Sequence, residues 1–414
     1  MNKHGPFYIG LILVALLAGV SAGIGAERAG WAPGASQQEP ADAARTFGVF
    51  WESWTLVQEK FVNRSAVKPQ LMTYGAIQGM LDSLGDVEHT RFLSPDELRR
   101  EREALQGQLE GIGAELVVRS GLPTVLAPIP GSPAQDAGLR PGDIIVRVDG
   151  QEVRGLTLDD IVNRVRGPRG TRVTLTVMHP GDTDLSDIAI TRAQINVPNV
   201  TWTKSPGTNI AHVLISQFGE RATDELVVAL RDARSSGATA VILDLRNDPG
   251  GLRDEAIGVA SQFLGDGHVL IEQDSEGKRT DFPVKPGGLG LDIPMAVLIN
   301  EGSASSSEIV AGALQDHQRG KLIGATTFGT GTVLGTFDLS DGSAVLLGIA
   351  EWFTPKGRQI WHRGIEPDIK VALPSGASPL IPQAERSMTA GQLLSSSDAQ
   401  LLRAVQELGA IPSP

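Results

Sequence analysis

The stretch Asn300-Glu301-Gly302-Ser303-Ala304-Ser305-Ser306-Ser307-Glu308 decides how this chain is read. It follows the apolar run Met295-Ala296-Val297-Leu298-Ile299 and opens directly into Ile309-Val310-Ala311-Gly312-Ala313-Leu314. A glycine turn between a short apolar run and a longer one predicts a strand, a tight loop and a helix whose first turn is built from serines. The first amides of a helix have no partner within it, and the helix dipole adds positive potential there. A hydroxyl acting as nucleophile, and the oxyanion its attack creates, would both be stabilised at such a place. Capping of the helix by Ser303 or Ser305 is the competing structural explanation.

Around this stretch, residues 208–373 alternate apolar strands (210–215, 240–245, 295–299) with helical segments (222–233, 255–264, 305–315). That alternation predicts an α/β layer with largely parallel strands. A second loop, Asp244-Leu245-Arg246-Asn247-Asp248-Pro249-Gly250-Gly251, should meet the serine cluster at the carboxyl ends of the strands, where ligands bind in such folds. Its diglycine permits close backbone approach and amide donation to an oxyanion, although a plain strand-to-helix turn would look the same.

Residues 109–195 read as a β-rich module, with alternating runs at 114–118, 144–148 and 173–177 and a short helix at 158–165. Residues 45–106 read as helical. Phe47, Phe50, Trp51, Trp54, Val57 and Phe61 form one stripe, and Leu71, Met72, Ile77, Met80, Leu81 and Leu84 another, both taken as packing surface. Pro69 fits a first helical position, and Ser94-Pro95-Asp96-Glu97 opens a third helix. A last helix over 398–408 should dock on the α/β layer.

The 414 residues are 41% hydrophobic, enough for real cores. The net charge of −12 disfavours nucleic acid as a partner. No cysteine is present, which excludes disulfides and thiolate chemistry. The seven histidines lack metal-ligand spacing and the glycines of 324–331 lack a phosphate-loop ending, so neither metal nor cofactor is expected. Residues 7–26 carry no charged side chain and follow Lys3, which fits a membrane span with a cytoplasmic amino terminus. Val20-Ser21-Ala22 would serve as a cut if the segment is a cleaved signal. The bulk of the chain is expected outside the cytoplasm, membrane-anchored, or secreted if the leader is removed. The expected divisions are 1–28 anchor or signal, 29–44 linker, 45–107 helical region, 108–195 β-rich module, 196–374 α/β core and 375–414 tail with a docking helix.

Within the β-rich module, Gly111-Ile112-Gly113-Ala114, Gly131-Ser132-Pro133-Ala134 and Gly138-Leu139-Arg140-Pro141-Gly142-Asp143-Ile144-Ile145 resemble a PDZ domain. The resemblance implies that the Gly111, Ile112 and Gly113 loop aims amides at a peptide carboxylate while the peptide pairs as an added strand. Together with the loop at 244–251, the serine cluster, Thr327-Phe328-Gly329, Leu339-Ser340-Asp341-Gly342-Ser343, Thr354-Pro355-Lys356-Gly357-Arg358 and Gly364-Ile365-Glu366-Pro367-Asp368, the chain resembles the carboxyl-terminal processing peptidases. That resemblance implies a ClpP/crotonase-like α/β core with an inserted PDZ domain, a helical N-terminal segment and an N-terminal membrane helix. It implies a Ser305 nucleophile, oxyanion donors at Ser306 and at Gly250 or Gly251, and a polypeptide substrate with an apolar C-terminus. Homo-oligomerisation is left open.

The resemblance breaks where the family carries its lysine base, in Phe-Gly-Lys-Gly, and a supporting glutamine. Here Thr330 and Leu334 occupy those places. Neither accepts a proton near neutral pH, so a Ser–Lys dyad there is excluded. His89, in a segment comparable to the one where tricorn-type proteases carry a catalytic histidine, is one replacement, oriented by Glu351 or Glu88. Lys356 or Lys321 reaching in is a second explanation. The third is a catalytically inactive, membrane-tethered peptide-binding scaffold.

Overall fold

The structure, a computed structural model, describes residues 43–410 except Val87, Glu88, Ser120, Pro130, Thr183 and Gly376. The expected membrane segment and most of the linker lie outside these residues. Among those described, no helix is long and apolar enough to cross a membrane. The described residues form two compact units, 43–96 with 336–346, and 97–335 with 347–410.

In the first unit, helix Pro69–Asp82 starts with its proline in the first turn, as expected. Strand Arg91–Leu93 pairs antiparallel with 344–346. Tyr74 packs on Phe92 at 4.6 Å and donates to Asp341 Oδ2 at 2.7 Å, which fixes the helix over this strand. Helix Ala43–Lys60 departs from expectation. Its Phe47, Trp51 and Val57, read as packing surface, are exposed, because nothing among the described residues covers them.

In the second unit, six strands run in the order Val200–Lys204, Ile210–Ile215, Ala240–Asp244, Met295–Ile299, Lys321–Gly324, Ile369–Lys370. The first pair is antiparallel and the others are parallel. Successive strand side chains point to opposite faces, so these apolar runs feed two cores. Val241, Leu243, Val297 and Ile299 pack under helices Ala222–Ser235, Arg253–Ser261 and Ser306–Asp316. Ile242, Ala296, Leu298 and Ile323 meet Leu401, Ala404 and Val405 of helix Ala399–Glu407, the docking helix expected from the sequence. Strands His268–Asp274 and Arg279–Pro283 form an antiparallel pair that 350–353 extends.

The β-rich module is a sheet ordered Ala114–Arg119, Leu122–Pro128, Ile144–Val148, Arg172–Met178, Leu185–Thr191. Helix Leu158–Val165 begins where Thr157 and Asp160 satisfy each other's backbone amides. Strands Gln108–Gly111 and Ala193–Asn196 pair where the module leaves and rejoins the chain.

Candidate active site

Two loops leave the carboxyl ends of the neighbouring parallel strands Ala240–Asp244 and Met295–Ile299, and polar contacts lace them together. Asn247 N donates to Asn300 Oδ1 and Asn300 Nδ2 to Asn247 Oδ1, each at 2.8 Å. Ser303 Oγ donates to Leu245 O at 2.7 Å and Ser307 Oγ to Asp248 O at 3.1 Å. Ser306 Oγ donates to Gly251 O at 3.0 Å. Most of the serine cluster therefore ties the two loops together, and Ser303 in particular faces the other loop.

Ser305 stands apart from them. It is half-buried, immediately ahead of helix Ser306–Asp316, with φ 53° and ψ −113°. A non-glycine residue there is strained, and its surroundings must hold it. Gly250 makes that conformation possible. Its φ is 97°, and a Cβ on it would lie 2.8 Å from Ser305 Cβ, Ser306 N and Ala304 O. The Gly250 amide already donates to Asp248 Oδ1 at 2.8 Å, which corrects its expected role: its contribution is close approach, not donation. Gly251 N and Ser306 N have no protein acceptor among the described residues. Asp248 is fully buried, and burial pushes its carboxyl well above the usual range despite the Gly250 amide.

Glu308 is the clamp on this arrangement. Its Oε2 accepts from Ser305 N at 2.9 Å and Thr330 N at 3.0 Å, and its Oε1 from Thr327 Oγ1 and Gly329 N, both at 2.6 Å. Burial raises its pKa, and the four donors oppose the rise. Thr330, where the resemblance places a lysine, is buried with its Oγ1 3.3 Å from Ser305 N. The loop is thus in position beside Ser305, carrying a hydroxyl.

The lysines do not reach. Lys321 begins strand Lys321–Gly324, at the end away from the loops. Lys356 is exposed, and its backbone amide donates to Asp316, at the far end of the helix that follows Ser305. Those 11 residues span ~16 Å, beyond the reach of a lysine side chain. Glu351 pairs with Gln273 across the second sheet and accepts from Gln359 Nε2 at 3.3 Å. The next residue, Trp352, donates its amide to Gly331 O at 3.0 Å, so Glu351 adjoins the Thr330 loop.

His89 lies in the first unit, with Nδ1 3.7 Å from Asp86 Oδ2. Asp86, the carboxylate nearest its ring in this structure and one the sequence analysis did not single out, is largely buried and accepts from Thr90 Oγ1 at 2.7 Å. Of the two carboxylates expected to orient His89, Glu88 lies outside the described residues and Glu351 belongs to the second unit. A second imidazole was also missed: His362, exposed, with φ 58° and its ring stacked on Trp361. Its amide donates to Gly329 O at 2.8 Å, which puts it against the Thr330 loop.

Behind the 244–251 loop lies a buried charge network. Arg246 binds Asp244, Asp398 and Gln400, and His212 sits between Asp244 and Glu385. Burial works against a charged ring, but the two carboxylates prevail and lift His212 to about 9. Asp244 is held below the usual carboxylate range because the charges of Arg246 and His212 outweigh its burial. The C-terminal tail thereby anchors the root of the diglycine loop.

Gly111, Ile112 and Gly113 line one end of a groove in the β-rich module, between strand Ala114–Arg119 and helix Leu158–Val165.

Comparison with known proteins agrees with this geometry. Residues 209–371 match peptidase family S41, and residues 124–178 match the PDZ domain family. The chain is 36% identical over 328 residues to the carboxyl-terminal-processing protease of Synechocystis sp., covering 78% of this chain and 76% of that protein. It is 35% identical over 322 residues to a protein of Staphylococcus epidermidis described as a "probable CtpA-like serine protease", covering 77% of this chain and 64% of that one. A solved S41 protease from Bacteroides fragilis shares the fold at TM-score 0.55 and 17% identity, over 88% of this chain and 98% of that one. The chain therefore belongs to the carboxyl-terminal-processing serine proteases of peptidase family S41, with a PDZ domain ahead of the protease core.

Proposed function

We propose that the protein is an extracytoplasmic, membrane-tethered endopeptidase that cleaves polypeptides near C-termini captured by its PDZ domain. In this reading Ser305 Oγ attacks the scissile carbonyl carbon while His89, oriented by Asp86, takes the hydroxyl proton. The carbonyl oxygen, now anionic, is held by the amides of Gly251 and Ser306. The proton passes to the departing amine, and water then hydrolyses the acyl-serine by the same route. The observation that carries the reading is the strained Ser305 at a helix start, with the Gly251 and Ser306 amides having no acceptor among the described residues.

A competing reading keeps peptide capture and discards hydrolysis. It rests on Thr330: the position that carries the family's base holds a hydroxyl beside Ser305 N. A fluorophosphonate serine probe on the full-length chain in detergent separates the two. Labelling that vanishes in Ser305→Ala and falls strongly in His89→Ala supports the enzyme. Absence of labelling in the folded wild type favours the peptide-holding protein. The tether is tested separately by fractionation: recovery of the full-length chain in the soluble cytoplasm would overturn it.

A further inference from the structure

We propose that Asp248 is a positioning residue for the hydrolysis: its side chain holds the Gly250 amide as a neutral hydrogen-bond acceptor, which leaves the Gly251 amide free for the oxyanion. This deepens the hydrolytic reading above and rests on it.

The surroundings of Asp248 do not suit a charge. The residue is fully buried, its Oδ1 accepts from Gly250 N at 2.8 Å, and its Oδ2 has no hydrogen-bond partner among the described residues. A buried carboxylate ordinarily gathers several donors or a cation, because its charge has lost the solvent. Arg246, in the same loop, is spent on Asp244 and Asp398 instead. Asp244, at the end of strand Ala240–Asp244, brings a like charge. From helix Ser306–Asp316, the Ser307 hydroxyl donates to the main-chain carbonyl of Asp248 at 3.1 Å, and Glu308 is engaged by four donors of its own. Burial is the main reason the carboxyl titrates high; the Gly250 amide and the Ser307 hydroxyl oppose the rise, and the Asp244 charge adds to it. Near neutral pH the group is therefore the uncharged acid.

Neutrality matters because of the backbone next to it. Gly250 O accepts from Phe218 N at 2.9 Å, and Gly251 O from Ser306 Oγ at 3.0 Å. A Cβ on Gly251 would come within 2.4 Å of Phe218 O, so the diglycine lies directly on residue 218. In a trans peptide the N–H points opposite to the C=O, so the bond from Phe218 to Gly250 O turns Gly251 N away from Phe218. Gly251 N is the diglycine group left without an acceptor among the described residues.

A carboxylate at 248 would compete for that amide. An aspartate side chain can accept from the amides two and three residues on, here those of Gly250 and Gly251. The neutral acid, with Oδ1 already filled, has a hydroxyl or a weak acceptor at its second oxygen, whereas the ionised form puts charge on Oδ2. The charge-assisted bond it would gain from Gly251 N is roughly twice as strong as the neutral bond from Phe218 that now sets the peptide. Ionisation therefore draws the oxyanion donor inward. Asp248 acts through the loop, not on the substrate.

The test uses the full-length chain in detergent, labelled by the fluorophosphonate probe across about pH 6 to 10, a range that starts near the ordinary imidazole pKa of ~6.5. Wild-type labelling should rise to a plateau and then fall on the alkaline side, by ~10²–10³ at the limit, the cost of one oxyanion donor. Asp248→Ala, which strips Gly250 N of its acceptor, should lose a similar factor at every pH. Asp248→Asn keeps the acceptor without the ionisation, so it should restore labelling and stay level on the alkaline side. An alkaline fall retained in Asp248→Asn, or labelling in Asp248→Ala equal to wild type, would overturn the proposal. A second readout is independent of the chemistry. At neutral pH, wild type minus Asp248→Asn should show the infrared carbonyl stretch of a protonated carboxylic acid, fading as pH rises. Without that band in the folded chain the proposal fails, even where wild type labels. With the band but no labelling, the hydrolytic reading fails and the neutral Asp248 stands.

Discussion

Replacing Thr330 by lysine and Leu334 by glutamine should convert the site into one that hydrolyses through a lysine base. The loop at 327–330 is already held against Ser305 by Glu308, and Thr330 Oγ1 is 3.3 Å from Ser305 N. A lysine grown from that backbone needs no rearrangement of the loop to bring its amine to the serine. The main competitor for the amine is the Glu308 carboxylate, which would keep it charged. That carboxylate already accepts four donors, about its full capacity, so the competition is weak. Thr330 is 4% exposed, and burial at that depth pushes a lysine amine down toward the range of a useful base.

A positioned base contributes ~10²–10⁴ in rate, about 2.7–5.4 kcal/mol of barrier. The added bulk costs about 1–3 kcal/mol of stability, which a melting curve monitors. The assay is single-turnover labelling by the fluorophosphonate probe, followed by cleavage of an unfolded peptide with an apolar C-terminus. If wild type lacks a base, the double variant should gain the full factor. If His89 already serves, the gain should be slight and the pH–rate profile should move. A double variant that melts like wild type yet neither labels nor cleaves would refute the claim that Ser305, Gly251 and Ser306 form a competent site.

Other outcomes follow from the same geometry. His89→Ala should lower probe labelling by ~10²–10⁴ while His362→Ala changes it less than about twofold; the opposite pattern would transfer the base to the imidazole beside Gly329. Gly250→Ala forces a Cβ to 2.8 Å from Ser305 Cβ at φ 97°, so it should abolish labelling and cost on the order of 2 kcal/mol in denaturant unfolding, and an unchanged variant would remove Gly250 from the site. The folded-state pKa of His212, about 9, exceeds the ordinary value near 6.5. Its stabilising contribution is therefore whole below about pH 6.5 and lost as pH rises through about 9, by on the order of 3 kcal/mol. Urea titrations at pH 6.5 and 9.5 should show that loss, and His212→Gln should flatten it; identical pH slopes would contradict the charged ring.

The parallel core was legible because its strands are buried on both faces, leaving continuous apolar runs with abrupt polar ends. Ile210–Ile215 and Met295–Ile299 begin and end where the sequence puts them. Helix Leu158–Val165 was legible for a different reason: its Thr157–Asp160 box marks the start locally. Strand Val200–Lys204, Val-Thr-Trp-Thr-Lys, was not found, since an edge strand with polar alternation has no core signature. Helix Pro382–Glu385 is one turn long and leaves no periodicity to detect. Its Glu385 nevertheless reaches His212, and that pairing, far apart in sequence, explains why an ionisable ring sits inside an apolar strand. Ser305 was singled out through the family resemblance, and its positive φ at the start of the helix is a feature no local pattern announces. The sequence left the donor open between Gly250 and Gly251, because which of two adjacent glycines spends its N–H on Asp248 depends on loop conformation, not composition.

The loss of the family lysine and the survival of the surrounding site are physically compatible. Every contact that fixes Ser305 runs through groups other than the side chain at 330, apart from one long hydrogen bond to Thr330 Oγ1. The Asn247–Asn300 exchange, the serine contacts to Leu245, Asp248 and Gly251, and the Glu308 clamp use backbone or side chains that a change at 330 leaves in place. Glu308 takes the backbone amide of residue 330, so the loop docks whichever side chain it carries. Strain at Ser305 costs on the order of 1–3 kcal/mol and persists only where neighbours overdetermine it. Its retention here follows from that lacing and does not by itself require a base. Chemistry at Ser305 therefore turns on whether an imidazole supplies what residue 330 no longer can, and the geometry of the serine is poised for either answer.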